Sequence, residues 1–126
     1  MISLQERSTL PIYEQIVEQM KMLIAKGAIQ PGEKIPSVRE LSASLLINPN
    51  TVSKAYQELE RQGVIHTIRG KGTFVAETEV PRMAAERYEA LKSEIRRIVV
   101  EAKHLGLERS QLEHMMKQES DMIWGE

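Results

Sequence analysis

The chain reads as mainly α-helical with one small β-hairpin, followed by a C-terminal helical region. Three observations predict this: apolar residues recur at intervals of three and four over most of the 126 residues, helix-start signals precede each such run, and a single β-branched segment surrounds Arg69-Gly70-Lys71-Gly72.

Ile12, Ile16, Met20 and Leu23 follow Pro11, which suits a first helical turn, and Gly27 offers a stop. Ile29 to Pro36, "IQPGEKIP", is a connector, since two prolines and a glycine forbid a long helix there. Ser37 stands three residues before Glu40, the spacing of a reciprocal capping box, and Val38, Leu41 and Leu45 give that helix its apolar stripe. After the short link "INPN", Asn48 can cap a third helix, Pro49 fits its first position, and Val52, Ala55, Tyr56 and Leu59 mark an inner face ending at Gly63. Two helices joined so tightly suggest a helix-turn-helix.

"VIHTIRGKGTFVA" then supplies two brief strands, with Ile65, Ile68, Phe74 and Val75 expected to touch the helices and a basic turn at the tip. "AETEVPR" marks a boundary, which divides the chain into residues 1–78 and 79–126. Beyond it Ala84, Tyr88, Leu91, Ile95, Ile98, Ala102 and Leu105 alternate in steps of four and three, a heptad seam that predicts packing against a second copy. An intramolecular helical hairpin is the alternative. Gly106 interrupts the run, and Leu112, Met115, Met116, Met122 and Ile123 define a shorter last helix.

Composition limits the functions available. Seventeen basic and eighteen acidic side chains leave a formal charge of −1, so any site for a polyanion must be local. From Lys34 to Val75, six basic residues (Lys34, Arg39, Lys54, Arg61, Arg69, Lys71) oppose three acidic ones (Glu40, Glu58, Glu60). The absence of cysteine excludes disulfides and thiolate metal sites. His66, His104 and His114 have no ligand spacing, so no metal or cofactor is expected. No acid–base or nucleophilic constellation emerges, and "RGKG" lacks the spacing of a phosphate-binding loop, which argues against an enzyme. Neither a signal sequence nor a run of about 20 apolar residues is present, so a cytoplasmic protein without membrane attachment is expected.

With Val52, Ala55, Tyr56 and Leu59 turned inward, Asn48, Asn50, Thr51, Ser53 and Lys54 remain near the start of the third helix. Asparagine can read adenine, hydroxyls reach phosphates or base edges, and lysine binds guanine or phosphate. Ordinary capping by Asn48 and a solvated Lys54 are the plainer interpretation of those residues alone. The cations Arg39, Arg69 and Lys71 on either side favour double-stranded DNA.

"GEKIPSVREL", "NTVSKAYQELERQG" and "RGKGTFV" together resemble the winged helix-turn-helix of the GntR family of bacterial transcription regulators, over Pro11 to Val75. The short helical remainder is similar to that of the YtrA-type branch, whose members are compact dimers. The resemblance implies that Arg39 contacts phosphate or a base near the major groove, that Asn48, Asn50, Thr51, Ser53 and Lys54 enter that groove, and that Arg69 and Gly70 reach the neighbouring minor groove with Lys71 on the backbone; Ser37 is counted with them as a DNA-binding candidate. Many members carry arginine where this chain has Pro49 and Ser53, so guanine recognition from these two positions is not carried over.

The expectation is a homodimeric regulator that recognises a two-fold-related operator, with repression the favoured sense, and with Tyr88, Leu91, Ile95, Ile98, Ala102 and Leu105 forming the dimer seam. A small-molecule effector is left open; Met115, Met116, Met122 and Trp124 are better explained by packing than as its pocket. The competing functions are a DNA-architectural protein of low specificity and an interaction adaptor built on a winged helix.

Overall fold

The computed structural model describes residues 2–77 and 84–125. Two units are distinguished, Met1–Arg82 and Met83–Glu126. The boundary expected between residues 78 and 79 lies outside the described residues.

In the first unit, helix α1 (Ile12–Ala25) is followed by strand β1 (Lys34–Ile35), helices α2 (Val38–Leu45) and α3 (Pro49–Arg61), and strands β2 (Ile65–Ile68) and β3 (Gly72–Val75). Both expected caps form. The Ser37 hydroxyl accepts from the Glu40 N–H at 3.0 Å while a Glu40 carboxylate oxygen accepts from the Ser37 N–H at 3.0 Å. Asn48 Oδ1 accepts from the Asn50 N–H at 2.8 Å, with Pro49 as the first helical residue.

Ile16 and Met20 of α1 meet Leu41 of α2, Val52, Ala55, Tyr56 and Leu59 of α3, and Ile35, Ile65 and Val75 of the sheet in one buried cluster. Burial of each large aliphatic side chain contributes about 1.5–3 kcal/mol, and this cluster is what fixes α3 against α1 and α2. The Tyr56 hydroxyl donates to the Pro36 carbonyl at 2.6 Å, tying α3 to the segment that leads into α2. An N-terminal arm is held on α1 by Gln15, which is itself buried, accepts from the Gln5 N–H, and donates to the Gln5 and Leu10 carbonyls, each at 2.9 Å.

The expected hairpin is part of a three-stranded antiparallel sheet of order β1-β3-β2. Its register corrects one expectation. Ile65 pairs with Val75 and both are buried, whereas His66 pairs with Phe74 and Ile68 with Gly72. Because side chains alternate across a strand, Ile68 and Phe74 lie on the opposite face from the core contacts. Ile68 is 41% exposed, and the Phe74 ring stacks on His66 at 6.1 Å between centroids.

In the second unit, helix α4 (Ala84–His104) and helix α5 (Arg109–Trp124) are joined through Gly106. The seam residues Tyr88, Leu91, Ile95 and Leu105 are exposed and Ile98 is half-buried. Ala102 differs: it is buried within the single chain. Leu105 lies just past the last residue of α4, in the turn. An open groove of about 590 Å³, lined by Ile95, Ile98, Val99, Leu112 and Met116 with Arg109 and Glu113 at its edges, separates α4 from α5.

Candidate nucleic-acid interface

The buried face of α3 determines what its first turn presents. With Val52, Ala55, Tyr56 and Leu59 inward, Asn48 and Asn50 are exposed and Thr51 and Ser53 are half-exposed. Asn48 Oδ1 is engaged by its own helix, which leaves its amide N–H₂ to face outward. The Ser37 hydroxyl is likewise engaged as the acceptor of the α2 cap.

Lys54 is exposed and makes a contact that its local sequence does not announce. Its ammonium lies over the Tyr13 ring, 4.0 Å from the centroid, in a cation–π contact between α3 and α1. The Tyr13 hydroxyl donates to Glu14 at 3.0 Å, and this hydrogen bond raises the Tyr13 pKa above its ordinary value. Tyr13 was not among the residues expected near the site. Its contact joins positions 41 residues apart, beyond the reach of any local spacing signal.

The surrounding charge follows from which groups are already satisfied. Each acid of the Lys34–Val75 segment is engaged: Glu40 in the α2 cap, Glu58 by Arg61 and Gln62, and Glu60 by the Thr67 hydroxyl at 2.6 Å. The Ser37 backbone N–H and hydroxyl hold the Glu40 carboxyl below its usual pKa. Arg39, Arg69 and Lys71 are exposed and form no ion pair among the described residues. Arg39 belongs to the first turn of α2, and Arg69 and Lys71 to the β2–β3 turn, where Gly70 adopts φ +81°. The half-exposed first turn of α3 therefore belongs to a unit that carries cations outside any ion pair, among the described residues, on both the preceding helix and the hairpin turn.

Among the described residues, no group of three or more His, Asp or Glu could hold a metal ion. None of the described helices is long and apolar enough to cross a membrane.

Residues 12–75 match the family model described as bacterial regulatory proteins, gntR family. The chain is 43% identical to the HTH-type transcriptional repressor YtrA of Bacillus subtilis (strain 168), covering 99% of this chain and 96% of that protein. Among solved structures, a transcriptional antiterminator from Listeria monocytogenes EGD-e superposes with a TM-score of 0.92 at 40% identity, covering 100% of this chain and 95% of that one. AraR(DBD) in complex with operator ORR3 matches with a TM-score of 0.52 at 36% identity, over 59% of this chain and 89% of that one. The α-helical unit with its three-stranded wing, the helix-turn-helix at α2–α3 and these likenesses lead to one conclusion: the chain belongs to the GntR family of helix-turn-helix DNA-binding transcriptional regulators.

Proposed function

We propose that this chain is a homodimeric repressor of the YtrA-type branch that recognises a two-fold-related operator and obstructs promoter access. The observation that carries the reading is the first turn of α3: Asn50 and Thr51 stand at its start, Arg39 precedes them on α2, and Arg69 and Lys71 follow on the wing, none of these cations neutralised by an ion pair among the described residues. Asn50 and Thr51 read base edges in the major groove, Arg69 and Gly70 reach the adjacent minor groove, and Arg39 and Lys71 bind phosphate. Ser53 contacts the groove wall, while Ser37 and Asn48 act chiefly through the caps that orient α2 and α3. Lys54 contributes through the edge it forms with Tyr13. The division into a winged helix-turn-helix for DNA and a C-terminal region for assembly belongs to the same reading.

The exposed row Tyr88, Leu91 and Ile95 supports the dimer, since it presents a heptad-spaced apolar face to whatever covers α4. The likeness to a named repressor over nearly the whole length of both chains supports repression, and the likeness to a protein crystallised with its operator supports the docking mode.

The test is selection of binding sites from genomic DNA by the purified protein, then titration of the best site against a scrambled duplex and a single-stranded RNA of the same sequence at fixed salt. A two-fold-related motif bound at least a thousandfold above the scrambled control, on the order expected of specific recognition, supports the proposal. Uniform weak binding supports an architectural protein instead, and preference for the RNA removes the operator reading.

A further inference from the structure

Lys34 has no assigned role, and its position on β1 gives it one. Cross-strand pairing sets Lys34 opposite Phe74, so its side chain shares a sheet face with Gly72, two residues back along β3. A methyl group built on Gly72 would lie 2.7 Å from Lys34 Cε and 3.4 Å from Nζ. The lysine stem therefore crosses the bare Cα of Gly72, and its ammonium ends beside the wing turn, next in sequence to Lys71. Gly72 is required for its φ of +132° rather than for this space, since the flexible end of a lysine could yield to a methyl. What the contact reveals is where the ammonium sits.

The Glu40 carboxyl, held below its usual pKa chiefly by its hydrogen bonds with Ser37, is lowered further by the Lys34 charge. Lys34 is exposed and its side chain forms no hydrogen bond or ion pair among the described residues. Neighbouring carboxylates are already engaged, Glu33 by the Gln30 N–H at 3.0 Å and Glu40 by the Ser37 N–H at 3.0 Å.

A module that places a helix in the major groove and a hairpin tip in the next minor groove must straddle the sugar-phosphate strand between them. On the operator-binding reading that strand would pass between the α2 N-terminus and the wing turn, the region where Lys34 lies. We infer that Lys34 is a further phosphate-binding residue, whose ammonium over Gly72 joins Arg39 of α2 and Lys71 of the wing into one cationic edge along the DNA backbone. The inference rests on the operator-binding reading above.

Lys34→Met keeps the stem over Gly72 and removes the charge, so it separates contact from packing. The full-length wild type, Lys34→Met, Lys34→Arg and Arg69→Ala are titrated by fluorescence anisotropy against the selected site and the scrambled duplex over a salt series. Each lost phosphate contact lowers the slope of log K against log salt by about 0.9, or by about 1.8 for two protomers on one site. Lys34→Met is expected to show that loss on both duplexes alike, with an unchanged melting temperature, and Lys34→Arg is expected to keep the wild-type slope. Should Lys34→Met melt lower than wild type, Lys34→Gln replaces it under the same criterion. A wild-type slope in the charge-removing variant, with a reduced slope in Arg69→Ala, overturns the role of Lys34 alone. Absence of salt-dependent DNA binding by the wild type overturns both this inference and the functional reading beneath it.

Discussion

Leu46 closes α2 in the left-handed conformation, φ 57° and ψ 46°, with its N–H and that of Ile47 returning to the Ser42 carbonyl. This is a common way to end a helix, but glycine normally occupies the position because a side chain there costs about 1–2 kcal/mol. Here the side chain brings little in return, being 89% exposed. Leu46→Gly should relieve the backbone cost, less about 0.5–1 kcal/mol for the added freedom of glycine when unfolded. The small buried fraction of the leucine subtracts about 0.2 kcal/mol more. A net stabilisation of about 0.5 kcal/mol follows, equivalent to a rise of about 2–4 °C in Tm for a unit of this size. Leu46→Ala is the control, because it removes the same side chain while keeping the backbone cost. The glycine variant should exceed it by about 0.7 kcal/mol in urea unfolding followed by circular dichroism, at one protein concentration so that any association is held constant. Equal stability of the two variants, or a less stable glycine variant, would refute the claim that the α2–α3 turn carries backbone strain.

Two further outcomes are expected. Burial pushes the Tyr56 hydroxyl up to about 12, above its ordinary value of 10.0, so its protonated form is the one the fold retains. Stability from this group is complete below pH 10 and falls as pH rises through 12; Tyr56→Phe should remove that alkaline component, and should cost about 1 kcal/mol at neutral pH by leaving the Pro36 carbonyl without its donor, as read from urea unfolding across pH. Leu91→Asp places a carboxylate on the α4 seam at a position 59% exposed in one chain, so it should leave the helical circular dichroism intact while shifting sedimentation from dimer to monomer; an unchanged dimer population would remove the seam as the interface.

Much of the fold was legible where the signal was local. Ser37 with Glu40 and Asn48 with Pro49 announce helix starts within three residues, and the structure contains both caps as expected. The spacing of Val52, Ala55, Tyr56 and Leu59 identified the inner face of α3, because helical geometry alone puts those positions together. The features that escaped depend on partners distant in sequence. Strand β1 is only two residues long and is defined by pairing with β3, some forty positions later. Ile68 and Phe74 looked like core because they are apolar, but the face a strand residue occupies is set by register, which composition does not reveal. Lys54 looked free in the sequence, and it is the fold of α1 across α3 that brings Tyr13 beneath it.

The charge distribution connects assembly to recognition. A formal charge of −1 gives the whole chain no general attraction for DNA, so on the proposed reading binding comes from the few cations of α2 and the wing turn. One such unit can neutralise only a handful of phosphates, and each contact weakens steeply as salt rises. Two units on one duplex would roughly double that number, and the second binding step would become intramolecular, with an effective concentration set by the link between them. On the proposed reading that link is the apolar face of α4, and the two-fold symmetry of the dimer would select DNA whose half-sites repeat at matching spacing. On that reading the seam would contribute to specificity without touching a base: a variant confined to the monomer would keep every groove contact and still lose most of its preference for the paired site over a single half-site.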